Sequence, residues 1–79
     1  MVGISYDSVF RKKFEKIKDT FTREKVKKQM RKIVEHPRIG KPMMYARKGT
    51  REIYIAPYRI SYAYVDEKIV FLDAVLHNS

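Results

Sequence analysis

The sequence predicts an α+β domain in which an N-terminal helical hairpin packs on a small antiparallel β-sheet. Three observations carry this. Apolar residues before His36-Pro37 recur at helical spacing, those after Met43 alternate with polar ones, and turn-forming residues gather in the second half. Helices first and strands afterwards is the ordering of an α+β fold, with the helices covering one sheet face. A chain of 79 residues has room for one such domain, spanning 1–79, and one modest core.

Val2 to Tyr6 reads as a short strand, with Ile4 and Tyr6 alternating. Asp7 and Ser8 are helix-starting residues, and Phe10, Phe14 and Ile17 follow on one face. A second helix is expected with Thr22 as N-cap and Phe21 stapled to Val26. Val26, Met30, Ile33 and Val34 form its apolar stripe, and His36-Pro37 ends it, because proline disfavours a helical residue before itself. Only Lys18 to Phe21 would separate the helices, which favours an antiparallel helical hairpin.

Met43 to Tyr45 is the expected first strand of the second half, followed by a turn at Lys48-Gly49-Thr50. Glu52 to Ile55 alternates as a half-buried strand does. Pro57 interrupts, Tyr58 to Val65 resumes, and Asp66-Glu67 is the tight turn into Ile69 to Leu76. Alternation then assigns faces. With Ile53, Ile55, Ile60, Tyr62, Val70, Leu72 and Ala74 turned to the helices, the open face carries Glu52, Tyr54, Arg59, Ser61, Asp73 and His77. A bulge near Pro57 would break that parity.

Eighteen Lys and Arg against nine Asp and Glu give a formal charge of +9. Self-repulsion of that size costs stability and points to a polyanionic partner: nucleic acid, an acidic protein segment or an anionic surface. A solvated surface rich in Lys, Arg and Glu is the bland alternative. The chain has no cysteine, which fits a reducing cytosol. Met1 to Ile4 is too short for a signal-peptide apolar region, and the longest apolar runs, such as Ile69 to Leu72, are strand-sized. A cytoplasmic protein without membrane contact is expected. Glycine-rich phosphate loops, cysteine or histidine clusters for zinc and nucleophile motifs are missing from the sequence, so neither a metal nor another cofactor is expected.

The run Pro57-Tyr58-Arg59-Ile60-Ser61-Tyr62, continued by Val65 to Phe71, resembles the late hairpin of the RelE/ParE superfamily of toxins. Gly40-Lys41-Pro42, Lys48-Gly49 and a final strand ending near a histidine resemble its other landmarks. With the helical hairpin included, the similarity covers nearly the whole chain, and its pattern is closest to RelE-like mRNA interferases. The resemblance implies a toxin of a type II toxin–antitoxin system, held inactive in a hetero-oligomer with its antitoxin. It also implies one of two activities. RelE-like members enter the ribosomal A site and cut mRNA without a metal, inhibiting translation; ParE-like members poison DNA gyrase. A catalytically impaired relative that only binds its antitoxin is a third possibility.

Metal-free RNA cleavage needs a base for the ribose 2′-OH, an acid for the 5′-oxygen and a cation for the phosphorane charge. Arg59 fills the position of the family's hairpin arginine, and its fork suits two phosphate oxygens. The alternative is a structural ion pair, for example with Asp73. His77 falls where members often carry a terminal histidine or basic residue, and imidazole serves as acid or base near neutrality. Glu52 and Tyr54 stand where the best-known RelE pattern has lysines, and complete the candidate catalytic set. Toward the C-terminus that pattern has an arginine and a later tyrosine, whereas this chain ends Asn78-Ser79. Arg47, Lys48 and Arg51 around the turn are candidate contacts to RNA phosphate or to the antitoxin, and Lys12, Lys13, Lys27, Lys28 and Arg31 on the helices are candidate contacts to RNA phosphate. Solvated helix faces are the competing reading for the latter group.

Overall fold

The computed structural model describes residues 2–77. Its elements run β1 (Gly3–Tyr6), α1 (Ser8–Glu15), α2 (Thr20–Glu35), β2 (Lys41–Pro42), β3 (Thr50–Ile55), β4 (Tyr58–Val65) and β5 (Lys68–Leu76). The strands form one sheet in the order β1-β5-β4-β3-β2. Two helices on a sheet is the α+β architecture the sequence predicts. The sheet is mixed, however. β1 pairs parallel with β5, Gly3 opposite Lys68 and Tyr6 opposite Phe71, while the other ladders are antiparallel.

Asp7 caps α1, its carboxylate accepting from the Val9 amide at 2.8 Å. The cap of α2 is Asp19, not Thr22. Asp19 accepts from the Thr22 amide at 3.0 Å and from the Thr22 hydroxyl, so the helix starts three residues earlier and Thr22 is its third residue. Those two bonds, the hydroxyl's first, hold the Asp19 carboxyl below its ordinary range. The earlier start leaves Phe21 at 62% exposure, so no staple to Val26 forms. The connection between the helices is residues 16–19.

Phe10, Ile17, Val26 and Ile33 from the helical half meet Ile55, Ile60, Tyr62, Ile69, Phe71 and Ala74 from the sheet in one buried core. Each fully buried Ile or Phe is worth about 1.5–3 kcal/mol of transfer free energy. Ile53, Met30 and Val34 pack against it, half-buried. The expected inward pair Val70 and Leu72 is corrected to Ile69 and Phe71. A register shift places Tyr62 opposite Phe71 and Ser61 opposite Asp73, leaving Leu72 as the extra residue of a bulge. The bulge restores the expected parity beyond it: Ala74 is buried and Asp73 lies opposite Ser61 on the open face.

The β3–β4 and β4–β5 turns are two-residue loops. Ala56-Pro57, joined by a cis peptide, links β3 to β4 without disturbing their alternation. Asp66 and Glu67 have φ of 51° and 61°, the left-handed pair that the right-handed twist of a tight hairpin asks for. Met43 to Tyr45 is not a strand. The edge strand is Lys41–Pro42, and Met44-Tyr45 turns away from the sheet, with Tyr45 in a left-handed conformation. Pro42 lacks an amide hydrogen, which keeps this edge short.

Candidate functional site

Three side chains, from β3, β4 and the residue just after β5, meet on the open face of the sheet. Glu52 on β3 lies opposite Ser61, and Tyr54 lies opposite Arg59 on β4. The Arg59 Nε is 3.6 Å from a Glu52 carboxylate oxygen, and its Nη2 is 2.9 Å from His77 Nδ1. Guanidinium only donates, so Nδ1 is the acceptor and the imidazole proton sits on Nε2. The Tyr54 ring meets the His77 ring edge-on, with centroids 5.1 Å apart. The four residues expected to form the catalytic set therefore share one locus. His77 is held there by its backbone, because β5 ends beside β4 and the His77 amide donates to the Pro57 carbonyl at 2.8 Å. Lys25 of α2 donates to the Ala56 carbonyl at 3.0 Å and ties the same hairpin tip to the helix.

Asp73 does not pair with Arg59. It takes Lys13 of α1 at 2.7 Å and accepts from the Ala74 amide. Arg59 is thus free of that structural pairing, and half of its side-chain surface (47%) remains exposed.

The cluster separates two hollows. One, toward β2, is lined by Ile39, Lys41 and Tyr54; the other, toward β5, by Met43, Ser61, Asp73 and Val75. Glu52, Arg59 and His77 line both. Lys41 and Ile39 were not among the expected site residues. Lys41 lies directly opposite Glu52 across the β2–β3 ladder, a register that the mis-set first strand concealed.

The expected phosphate contacts divide into three groups. Lys12, Lys28, Arg31, Arg47 and Lys48 are exposed and form no ion pair among the described residues. Lys13 pairs with Asp73, and Lys27 lies 3.9 Å from Glu24. Arg51 is half-buried and donates through Nη1 to the carbonyls of Gly40 at 2.6 Å and Arg38 at 3.1 Å. Asn78 and Ser79 lie outside the described residues. On the helix side, a separate apolar hollow runs between β1 and α2, lined by Ile4, Tyr6, Met30, Val34 and Phe71 with Lys27, Arg31 and Glu35 at its rim.

No helix among the described residues is long and apolar enough to cross a membrane, and no group of three or more His, Cys, Asp or Glu among them is placed to hold a metal ion.

A basic two-helix domain on a five-stranded sheet with this open face has the architecture of the RelE/ParE superfamily. The isolated E. coli RelE toxin superposes with a TM-score of 0.84 at 20% identity, over 100% of this chain and 87% of that one. The YoeB/ParE toxin from Agrobacterium tumefaciens gives 0.82 at 15% identity, over 98% and 100%. The E. coli DinJ–YafQ complex gives 0.78 at 18% identity, over 98% and 94%. Residues 4–79 match the family model of the ParE toxin of type II toxin–antitoxin systems, parDE, and the chain belongs to that family. No curated protein sequence matches it.

Proposed function

We propose that this toxin is a metal-independent endoribonuclease that cleaves mRNA in the A site of the ribosome. The observation that carries the reading is the convergence of Glu52, Arg59 and His77, since it supplies the three groups that in-line RNA transesterification requires. Glu52 takes the proton of the 2′-hydroxyl, and that oxygen attacks the adjacent phosphorus. Arg59 holds the non-bridging oxygens as negative charge builds on them. Turning to the phosphate releases Nδ1 of His77, which takes a proton from solvent. The imidazolium then delivers a proton from Nε2 to the departing 5′-oxygen as the P–O5′ bond breaks, leaving a 2′,3′-cyclic phosphate. Tyr54, edge-on to His77, orients the ring.

The ribosome supplies what this open site lacks. Glu52 and Arg59 are partly solvent-exposed and lie on a shallow face, so a second surface must hold the mRNA in line. The exposed Lys12, Lys28, Arg31, Arg47 and Lys48 suit ribosomal RNA phosphates, with Lys13, Lys27 and Arg51 as secondary contacts because each already has a protein partner. A cognate antitoxin covers the apolar hollow beside β1, where Ile4 and Tyr6 are 44% and 40% exposed, and the complex is held in the cytoplasm.

Gyrase poisoning is the second reading, favoured by the match to the ParE model. Mapping mRNA 5′ ends in a reconstituted translation reaction, with ribosomes present or omitted, separates the two. Cuts at A-site codons only with ribosomes support the nuclease, and Arg59→Ala should weaken them by roughly 10²–10³-fold in a folded protein. Intact mRNA together with toxin-dependent DNA breaks by purified gyrase would replace it with the second reading.

A further inference from the structure

We propose that Lys41 is a substrate-contacting residue of this site, binding the RNA phosphate next to the one held by Arg59. The inference rests on the ribonuclease reading and adds a subsite to it. Directly opposed residues of an antiparallel pair project to the same face, so Lys41, opposite Glu52, stands on the open face beside the reacting groups. It lines the β2-side hollow with Tyr54 and Ile39. Arg59 is already engaged by Glu52 and His77, whereas Lys41 has no ion-pair partner among the described residues. Lys41 is the unpaired cation of that hollow.

Its backbone is fixed by a partly buried network. The Tyr62 hydroxyl donates to the Pro37 carbonyl at 2.7 Å and accepts from the Gly40 amide at 2.9 Å. Arg51 binds the Gly40 and Arg38 carbonyls. Gly40 packs so closely that an added Cβ would come within 2.6 Å of the Tyr62 hydroxyl. An exposed two-residue edge strand is thereby held at a set distance from Glu52. Tyr54, 58% exposed, offers a face on which the base between the two phosphates can stack. A cation, an aromatic ring and an aliphatic side chain around one hollow match a single-stranded nucleotide and its phosphate.

The test measures single-turnover cleavage against the concentration of programmed ribosomes for wild type, Lys41→Ala and Lys41→Arg. It is repeated on mRNA with one neutral methylphosphonate linkage beside the scissile phosphate, on either side. Lys41→Ala should raise the half-saturating concentration several-fold, with a smaller effect on the saturated rate, and Lys41→Arg should restore most of it. The salt slope of binding should fall by about 0.7, the value for one single-strand phosphate contact. One methylphosphonate should weaken wild type but not Lys41→Ala. Equal losses in both proteins, or unchanged saturation in a folded Lys41→Ala, would overturn the assignment and leave the nuclease standing. Wild type that leaves mRNA intact on ribosomes would overturn both.

Discussion

Arg59 on β4 and His77 just beyond β5 are joined by a 2.9 Å hydrogen bond across 18 positions of the chain. The bond forms because β5 runs back along β4 until Leu76 is opposite Tyr58. It keeps the imidazole unprotonated at Nδ1 and points Nε2–H away from the guanidinium. Groups in direct contact act as a unit, so their substitutions should not add. Arg59→Ala should slow cleavage by roughly 10²–10³-fold, the range for losing one electrostatic stabiliser. Adding His77→Gln should cost much less than it does alone. Single-turnover rates of the two single variants and the double variant check this, and simple multiplication of the effects would show that the two residues work independently.

The Lys13–Asp73 pair is half-exposed, with 41% and 32% of the side-chain surfaces open. Pairs of this kind contribute at most about 1 kcal/mol. Asp73→Asn should therefore lower the urea midpoint only slightly. The cleavage rate should stay within a few-fold, because Asp73 does not touch Arg59.

Tyr62 is buried, and its phenol is pushed above its ordinary value of 10.0, by burial first. A raised folded-state value means that its contribution is complete below about pH 10 and is lost as the pH climbs through it. Tyr62→Phe should destabilise by about 1–3 kcal/mol at neutral pH, because the buried Gly40 amide loses its acceptor. The gap between the two proteins should narrow in thermal melts above pH 10.

Asp19 has the opposite sign. Its carboxyl is depressed below 3.8 by Thr22, so the cap contributes above that value and is lost as the pH falls through its lowered folded-state value. Asp19→Ala should melt a few degrees lower at pH 7, and the two curves should converge under strongly acidic conditions.

Gly49 has φ of 90°, and a Cβ there would run into Val65 and the Tyr64 carbonyl. Gly49→Ala should cost about 1–3 kcal/mol, read as a lower urea midpoint with an unchanged slope.

Much of the site was legible because β3 and β4 alternate cleanly around a two-residue turn. Glu52, Tyr54, Arg59 and Ser61 could be assigned to one face from spacing alone. The face of β5 was not readable that way. Ile69 to Leu72 is apolar on both faces, so neither parity is excluded until the bulge at Leu72 is seen. The position of Lys41 is not legible in the sequence for a related reason. Its strand is two residues long and is set by the Tyr62 and Arg51 contacts, which no local pattern announces. The α2 cap was misplaced because Asp19 and Thr22 both favour such positions, and only the hydrogen-bond direction chooses between them. The parallel docking of β1 is a long-range choice that its own four residues do not encode.

That docking also dictates when the molecule can come into being. β5 lies between β1 and β4, so the earliest strand has no partner until residues 68–71 exist, and His77 follows later still. During synthesis Glu52 and Arg59 are made well before residue 77, which completes their cluster. A chain that stops short of residue 68 therefore has neither the β1 ladder nor the Arg59–His77 contact.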